Sequence, residues 1–564
     1  MRNSPRLLTT LALLGLAAIA CALYLPYLGN PPVFDDRIFF SGYRFSEYAS
    51  APLGKALRFP PYFSLAFVQV VFGSMEAHRV VSLILHIGCA WALYALIRAV
   101  QLSRLAAFAA AALFAVHPAA VYGAGYLTQR SIVLATLFSL LSLLLFVRGL
   151  RTGRYSDALA AAVLGALAVL SKEHAILLPG VAIALAVLAA PRLAFAARYA
   201  AVYVLAIAPA AVLAVLFSRG AIGEVIEPHF ETVASQVSGG AALWSGPLSS
   251  PWLGSAVAQA GLFFKYLLVW LLPSTGNMSL DLRVDFGQYW APAVALPAIF
   301  CFVASAVLAT ALVLRRGPLA LPAFGFLYFW ILFLVELAAV RFQEPFVLYR
   351  SYLWAPGLAL LVAWAIERMP PRIAVAALVP ALLVLGWEAR DRLQTFSSGL
   401  ELWEDVVAKL PAQPVAGGHR ALYEVGREYL YAGRLQDALQ VVERCNRDYP
   451  KTFDCFFARA AIQIELKQYK EALPSIAEAI ALRPREGAAR HHLGLILENV
   501  GCTDEALAQY RIAIKLGFRS AAQRIRRIET PGQGVLAPGE TPVAPLPPAE
   551  CAALVARTPL ARPG

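Results

Sequence analysis

Two adjacent aspartates, Asp35 and Asp36, follow the first long apolar segment of the chain and open a polar loop. A carboxylate in this position could act as a general base and deprotonate a hydroxyl group. Because neighbouring carboxylates repel each other, either one of them has a raised pKa or both face a cation such as Mg²⁺ or Mn²⁺. The alternative is a solvated turn in which an aspartate caps a helix. The local sequence leaves these interpretations open.

A second set of polar residues lies at the ends of later apolar segments. It comprises His117, Arg130, Lys172, Glu173, Arg350 and Tyr352. If the three cations converge near the aspartates, they suit a phosphate leaving group, whose growing negative charge they would stabilise. For each cation taken singly, an equally good interpretation is that it extends to the membrane surface or pairs with Glu173 or Glu344. The supply of cations from several separate loops favours a shared site.

Membrane helices must position these residues, because hydrophobic residues make up 59% of the 564-residue chain and charged residues only 15%. The mean hydropathy is +0.63. Soluble domains average about 45–50% apolar and about 25% charged residues. The composition therefore excludes an ordinary cytosolic enzyme, a disordered chain and a small disulfide scaffold. A spanning helix needs about 17–25 residues, and eleven segments qualify, at about 7–28, 78–98, 104–121, 131–148, 157–171, 175–190, 198–217, 291–314, 320–340, 352–367 and 372–388.

The arrangement of arginines predicts the orientation of these segments. Basic pairs or triplets occupy every second short connection, and such connections lie in the cytoplasm. The aspartates, the other candidate residues and everything after residue 388 then face outward, into the periplasm of a bacterium or the endoplasmic reticulum lumen of a eukaryote. Two short apolar stretches, about 61–73 and 259–273, are predicted to lie at the interface or to re-enter the membrane. Nucleic-acid binding is disfavoured despite the net charge of +13, because residues 400–530 carry no basic stripe.

The last third of the chain is a repeat. Ala438, Ala472 and Ala506 are spaced by 34 residues, and Pro450 and Pro484 keep the same interval. Small residues at this period with proline at the unit end are typical of tetratricopeptide repeats. We predict a membrane domain at 1–390, a soluble repeat α-solenoid at 399–529 with about three repeats and capping helices, and a disordered Pro-rich tail at 530–564. Such stacks bind peptides or proteins on a concave face, and the alternative is a spacer or a dimer contact.

Four of the seven cysteines lie beyond the membrane segments. Cys445 and Cys455 fall on consecutive repeat helices and could pair, since the predicted orientation puts them on the oxidising side. The alternative is that both are small buried packing residues. No cysteine spacing in the chain matches a zinc site.

Several short motifs follow one another along residues 1–520. They are Val33-Phe34-Asp35-Asp36, the stretch from His78 to His86, Phe114-Ala115-Val116-His117-Pro118, Tyr126-Leu127-Thr128-Gln129-Arg130, Leu170-Ser171-Lys172-Glu173, Leu280-Asp281 and Tyr349-Arg350-Ser351-Tyr352-Leu353, with the repeats after them. In this combination the chain resembles the transmembrane-and-tetratricopeptide-repeat (TMTC) glycosyltransferases, and their bacterial relatives in particular. That family is similar to the C-type (GT-C) glycosyltransferases, which take sugar from a polyprenyl-phosphate donor. Its animal members are protein O-mannosyltransferases.

The resemblance implies roles for individual residues. Asp35 and Asp36 become the acidic motif of the first outer loop, with one of them the base. Arg130, Lys172 and Arg350 become candidates for the lipid phosphate. His117 and Glu173 become supporting polar groups, and Tyr352 is a further residue of the predicted substrate-binding site. The chain departs from the animal pattern in having only about three clear repeats, a Gln-Arg pair in the third outer site and no acid-His pair before the tenth span. These departures concern the sugar and the acceptor more than the fold.

Together these observations predict an all-α, multi-pass enzyme of the bacterial inner membrane. It would move a sugar from a polyprenyl-phosphate donor to a Ser or Thr hydroxyl of an acceptor protein in the periplasm, with the repeats presenting the acceptor. A requirement for Mg²⁺ or Mn²⁺ stays open. The alternative from another functional class is a non-catalytic membrane scaffold whose repeats recruit partners for envelope or pilus assembly. A transporter is disfavoured, because the spans lack paired acids at mid-membrane depth and show no repeat of broken helices.

Overall fold

The computed structural model of the chain describes residues 5–41, 57–220, 222, 250–342, 344–529, 546–547 and 549–551. Within these residues the secondary structure is helical, apart from one isolated bridge between Leu282 and Phe346. The chain divides into two compact units. The first contains Met1–Pro228 and Ala242–Lys409, and the second contains His229–Ala241 and Leu410–Gly564.

The first unit contains eighteen described α-helices. They are α1 (Pro5–Tyr24), α2 (Asp35–Phe40), α3 (Phe59–Phe72), α4 (Met75–Ala99), α5 (Arg104–Ala115), α6 (Val121–Ala124), α7 (Arg130–Thr152), α8 (Tyr155–Ser171), α9 (Leu178–Ala189), α10 (Leu193–Phe217), α11 (Pro251–Leu271), α12 (Phe286–Trp290), α13 (Pro292–Arg315), α14 (Ala320–Phe333), α15 (Leu348–Ser351), α16 (Ala355–Glu367), α17 (Pro371–Gln394) and α18 (Gly399–Ala408).

Eight helices in the described residues are long and apolar enough to cross a membrane, so the chain is a multi-pass membrane protein. Seven of them coincide with predicted spans. The predicted span at 104–121 is instead a pair of helices bent by 55° at Pro118, whose missing N–H and fixed φ favour a break. The predicted spans at 157–171, 175–190 and 352–367 are shorter apolar helices. The count of eleven therefore stays a prediction.

Helix α11 differs most from the sequence-based prediction, which had only a short interfacial stretch at about 259–273. It has 21 residues and is long and apolar enough to span. Near its start Trp252 donates to the Leu337 carbonyl (2.8 Å), and near its end Trp270 donates to Ser351 Oγ (2.8 Å). Both ends of the helix therefore contact the single connection between α14 and α16. This packing favours a helix that lies along the face where that connection runs.

The two helices that flank this connection pack closely against each other. Helices α14 and α16 cross at Gly325 and Gly357, and a methyl group added at Gly325 would lie 2.5 Å from the Gly357 carbonyl oxygen. Only glycine permits this approach, which is typical of helix contacts in membranes. Helices α14 and α16 are thereby packed tightly against each other.

The second unit contains seven described helices. They are α19 (His419–Tyr431), α20 (Leu435–Asp448), α21 (Phe453–Glu465), α22 (Tyr469–Leu482), α23 (Gly487–Asn499), α24 (Thr503–Lys515) and α25 (Ala521–Glu529). Helices α19, α21, α23 and α25 begin 34 residues apart, as do α20, α22 and α24. The period found in the sequence therefore recurs in the helix boundaries. Small residues lie where paired helices meet, for example Gly494, against which the Tyr510 ring packs.

Cysteines link parts of the second unit. Cys445 and Cys455 form a disulfide, which is one of the two alternatives considered for them. A second disulfide joins Cys502 to Cys551, a pairing that the sequence did not predict. Cys551 comes from the segment predicted to be a disordered tail. Most of that segment lies outside the described residues.

The boundary between the units differs from the predicted one. The predicted repeat domain begins at residue 399, but α18 (Gly399–Ala408) belongs to the first unit. The reason is a set of polar and aromatic contacts that α18 makes within that unit. Arg392 donates to Asp405 at 2.9 Å, and the Trp403 ring lies edge-on to Phe34 with centroids 5.4 Å apart.

Candidate active site

The two aspartates have different environments. Asp36 is fully buried at the start of α2, and its carboxylate accepts the backbone N–H of Thr128 at 2.8 Å and that of Leu127 at 3.2 Å. Burial raises the pKa of Asp36 to about 7, and the two amides and the Arg79 guanidinium oppose that rise. Since both carboxylate oxygens are bonded to the neighbouring loop, Asp36 anchors the first outer loop to the 127–128 turn.

Asp35 faces a cavity of about 210 Å³. The cavity is lined by Asp35, Ile38, Phe39, Arg58, Tyr62, Thr128, Gln129 and Ser131. Most of these residues carry hydrogen-bonding groups, and the Phe39 and Tyr62 rings are stacked with centroids 5.3 Å apart. A carboxylate and a guanidinium thus share a small cavity with hydroxyl, amide and aromatic groups. Of the aspartate pair, Asp35 is the residue placed to react with a bound molecule.

Arg58 connects this cavity to a buried ionic network. Its guanidinium donates twice to the Glu173 carboxylate, with the Nε–Oε2 pair at 3.0 Å. His174 Nδ1 lies 3.5 Å from the same carboxylate. His174 Nε2 in turn donates to Glu336 at 3.1 Å. The network therefore runs from the first outer loop through the α8–α9 connection to the end of α14.

Glu336 is the centre of this network and was missed by the sequence reading. It is fully buried, accepts from Arg350 Nη1 at 2.8 Å and lies 3.2 Å from Arg341 Nε. Arg350 also donates to Glu344 at 2.9 Å. An acid inside an apolar segment is costly and usually functional, and that signal in the 320–340 segment would have found Glu336. Arg350, predicted as a phosphate ligand, is thus shared between two carboxylates.

Replacing Glu336 with Gln is expected to destabilise the membrane unit by about 3 kcal/mol or more, because breaking a buried ion pair leaves Arg341 uncompensated. The measurement is the thermal unfolding midpoint of the full chain in detergent. Glu401→Gln, at an exposed position on α18, is the matched control and should not shift the midpoint. Equal midpoints for E336Q and the control would contradict the role assigned to Glu336.

Lys172 differs from the other cations. It is buried, with 3% of its surface exposed, and its ammonium lies 5.4 Å from the centroid of the Tyr349 ring. Among the described residues we find no carboxylate paired with the Lys172 ammonium. Burial, together with the Arg58 charge, lowers the pKa of Lys172 to about 7, although the nearby Glu173 charge opposes the shift. Asp35 acts electrostatically on the Tyr349 hydroxyl, so Lys172 and Asp35 both lie in the neighbourhood of this tyrosine.

Arg130, predicted to contact the lipid phosphate, has its donors bound to protein groups. The guanidinium is fully buried and donates to Ser82 Oγ at 3.2 Å, Ser64 Oγ at 3.3 Å and the His78 carbonyl at 2.7 Å. These bonds tie α7 to α3 and α4. Arg130 therefore anchors the 127–131 turn to α3 and α4, and residues of this turn line the Asp35 cavity.

His117 and Tyr352 lie in a separate buried cluster. The His117 ring stacks on Trp270 with centroids 4.3 Å apart. The Tyr352 hydroxyl donates to His86 Nδ1 at 2.7 Å, and Trp270 donates to Ser351. The structure thus brings Asp35, Lys172, Glu173 and Arg350 to one region, and it places His117 and Tyr352 among aromatic residues between α4, α5 and α11.

Arg79 is a further residue that the sequence reading missed. It donates to the carbonyls of Asn30 (2.8 Å), Pro31 (2.8 Å) and Gly125 (2.9 Å). Three carbonyls from two loops are thereby held by one guanidinium next to Asp36. Its signal in the sequence was a lone arginine within a long apolar segment.

A requirement for a divalent metal ion at the acid pair stays a prediction. Each carboxylate oxygen of Asp36 accepts one backbone N–H, and Asp35 faces the cavity. Among the described residues, the one group of three side chains that could jointly ligate a metal is Cys502, Glu505 and Cys551, and two of these form a disulfide.

Residues 59–217, a little over a quarter of the chain, match the family model described as dolichyl-phosphate-mannose-protein mannosyltransferase. The matched region contains Arg130, Lys172 and Glu173 and ends before Arg350, while Asp35 precedes it. The match indicates a membrane glycosyltransferase of GT-C type and supports a lipid-linked sugar as its donor.

A curated protein is similar over a shorter segment. DnaJ homolog subfamily C member 3 of Mus musculus is 32% identical over 92 residues, which are 16% of this chain and 18% of that protein. The chain thus spans about a fifth of the length of this relative. A similarity of that extent assigns no activity to the whole chain.

Proposed function

We propose that the chain transfers a sugar from a polyprenyl-phosphate donor to a hydroxyl group of an acceptor, a Ser or Thr side chain of a protein in our reading. The observation that carries this proposal is the arrangement of Asp35. Its carboxylate lines a polar cavity with Arg58, and the Lys172 ammonium lies 5.4 Å from the ring centroid of Tyr349, whose hydroxyl feels the Asp35 charge. The match over residues 59–217 supports the same class of reaction.

In the proposed reaction the Asp35 carboxylate removes the proton from the acceptor hydroxyl. The oxygen forms a bond to the anomeric carbon while the bond between that carbon and the phosphate oxygen breaks. The electron pair leaves with the polyprenyl phosphate, and the Lys172 ammonium stabilises the negative charge that develops there. Asp35 then releases its proton to water. Arg58 and Arg350, already paired with carboxylates, hold the loops of the site together.

We further propose that the second unit is a tetratricopeptide solenoid on the non-cytoplasmic side of a bacterial inner membrane, where it presents the acceptor. The 34-residue interval between helix starts supports the repeat type. The two disulfides of this unit support an oxidising compartment, because disulfides persist in the periplasm and are rare in the cytosol. The three free cysteines, Cys21, Cys89 and Cys301, all lie in apolar helices of the first unit.

Mass spectrometry of periplasmic proteins, with and without this chain, tests the proposal. We expect hexose-modified Ser or Thr peptides to disappear when the gene is deleted and to return when the full chain is supplied. A chain carrying Asp35→Asn should fail to restore them. An unchanged set of glycopeptides in the deletion strain would exclude the proposed transfer and favour the non-catalytic scaffold.

A further inference from the structure

The residue before the catalytic candidate has an unusual backbone conformation. Phe34 has φ 49° and ψ −122°. Side-chain-bearing residues rarely adopt positive φ, and such conformations persist only where the surroundings enforce them. Because Phe34 precedes Asp35 directly, whatever enforces this conformation also sets the direction of the Asp35 side chain.

The contact on the Phe34 ring comes from α18. The Trp403 ring lies edge-on to it, with the ring planes at 81° and the centroids 5.4 Å apart. Trp403 is buried, with 1% of its surface exposed. It lies more than 360 residues along the chain from Phe34, beyond the last apolar helix, in a segment that the sequence assigned to the repeats.

Polar contacts fix α18 in this place. Asp405 accepts from Arg392 at 2.9 Å and from Lys409 at 2.5 Å. Arg392 and Lys409 also each donate to the Met278 carbonyl at 2.7 Å. Ser398 caps the helix by accepting the Glu401 N–H at 3.0 Å. The helix therefore has a fixed seat, and Trp403 projects from it as a rigid contact.

The same part of the chain holds the loop at a second point. The Asn30 side-chain amide donates to the Leu393 carbonyl at 3.0 Å. Asp36, in contrast, is anchored by the 127–128 amides and needs no contact with α18. The peptide between Phe34 and Asp35 is thus held from the α17–α18 side, and the rest of the acidic motif is held from the α7 side.

We propose that α18 is a positioning element of the active site, in which Trp403 holds Phe34 so that the Asp35 carboxylate faces its cavity. This inference rests on the proposed function, since it takes Asp35 as the base. Trp403 acts on Asp35 through the Phe34 ring. Its loss therefore reduces the rate of transfer and leaves donor binding intact.

The test uses the full chain in membranes of expressing cells, with tritiated mannose on a polyprenyl phosphate as the probe and the cell's secreted proteins as acceptors. Trp403→Ala is expected to lower kcat by between about tenfold and a hundredfold, the cost of misplacing a reacting group by about 1 Å, with the donor KM within about twofold. Trp403→Phe should recover most of kcat. Trp387→Ala, at a position with 74% of its surface exposed on α17, is the matched control.

A second variant covers the case in which W403A does not fold. Phe34→Gly removes the ring that Trp403 contacts while permitting the positive φ, so it is expected to lower kcat to a similar extent. Adding W403A to F34G should cause no further loss, since the two residues act as one unit.

The outcomes separate this inference from the proposed function. Full activity of Asp35→Asn would remove the proposed function itself. Loss of activity in D35N with normal kcat in both W403A and F34G would overturn only the positioning role. A raised donor KM with unchanged kcat in W403A would also overturn it, because Trp403 would then act on donor binding.

Discussion

Asp35→Asn is expected to abolish sugar transfer, lowering kcat by about a thousandfold, the contribution typical of a positioned general base. The amide keeps the shape of the side chain and removes its ability to accept the acceptor proton. Because Asp35 lines a cavity, whereas Asp36 accepts the backbone amides of the 127–128 turn, the variant should insert and fold as the parent chain does. Transfer of label from a polyprenyl-phosphate sugar to protein measures the effect.

Two further substitutions make this result interpretable. Asp437→Asn, at a half-exposed ion pair of the second unit, should retain full activity. Asp36→Asn should act mainly on stability, because its new NH₂ group faces one of the two backbone N–H groups, that of Leu127 or that of Thr128, which the carboxylate now accepts. We therefore expect less folded protein from D36N than from D35N. Parental activity in the D35N/D36N double variant would end the proposal that this acid pair is catalytic.

Lys172→Met is expected to raise the donor KM by between about tenfold and a hundredfold, the range for losing one bond to a charged group. The methionine keeps the length of the side chain and removes a buried cation that, in the described structure, has no carboxylate partner. Binding of the polyprenyl-phosphate sugar to detergent-solubilised protein provides a second readout. A KM unchanged in K172M would place the phosphate elsewhere.

The same lysine predicts a pH dependence. Burial lowers the pKa of Lys172 to about 7, so the ammonium is present below pH 7 and lost above it. The value of kcat/KM reports the free enzyme and should fall about tenfold per pH unit above about pH 7. Lys172→Arg should move this alkaline limb upward, because a guanidinium stays charged. Lys470→Arg, at an exposed position of the second unit, should leave the limb in place, and an unmoved limb in K172R would contradict the assignment.

The ionic network explains why the cations of the site are not equivalent. Arg58 and Arg350 are each held by carboxylates, Arg58 by Glu173 and Arg350 by both Glu336 and Glu344. Such pairing offsets the cost of burying a charge, and it also reduces the attraction that each guanidinium can offer to a phosphate. Lys172 has no such carboxylate pair in the described structure, and burial of its charge lowers its pKa. An incoming phosphate would relieve that cost.

The sequence by itself determined the class of protein, because helix length and apolar content are local properties. Apolar segments of sufficient length must form helices in a membrane, since lipid offers no partners for the backbone. The eight long helices accordingly fall on apolar segments seen in the sequence. Other local features were also visible in the sequence. They are the 34-residue period, the acidic pair after the first span and the cations in separate loops.

Only the tertiary structure decided which residues meet. Asp35 and Asp36 are neighbours with the same side chain, and their roles separate because amides from the 127–128 turn, more than ninety residues away, bind one of them. Arg130, predicted to contact the lipid phosphate, donates to Ser64, Ser82 and the His78 carbonyl, and its contact with a phosphate stays a prediction. Neither Glu336 nor Trp403 belongs to one of the motifs recognised in the sequence. Partner choice depends on how distant loops converge, and that convergence follows from helix packing, such as the Gly325–Gly357 crossing, which no local pattern encodes.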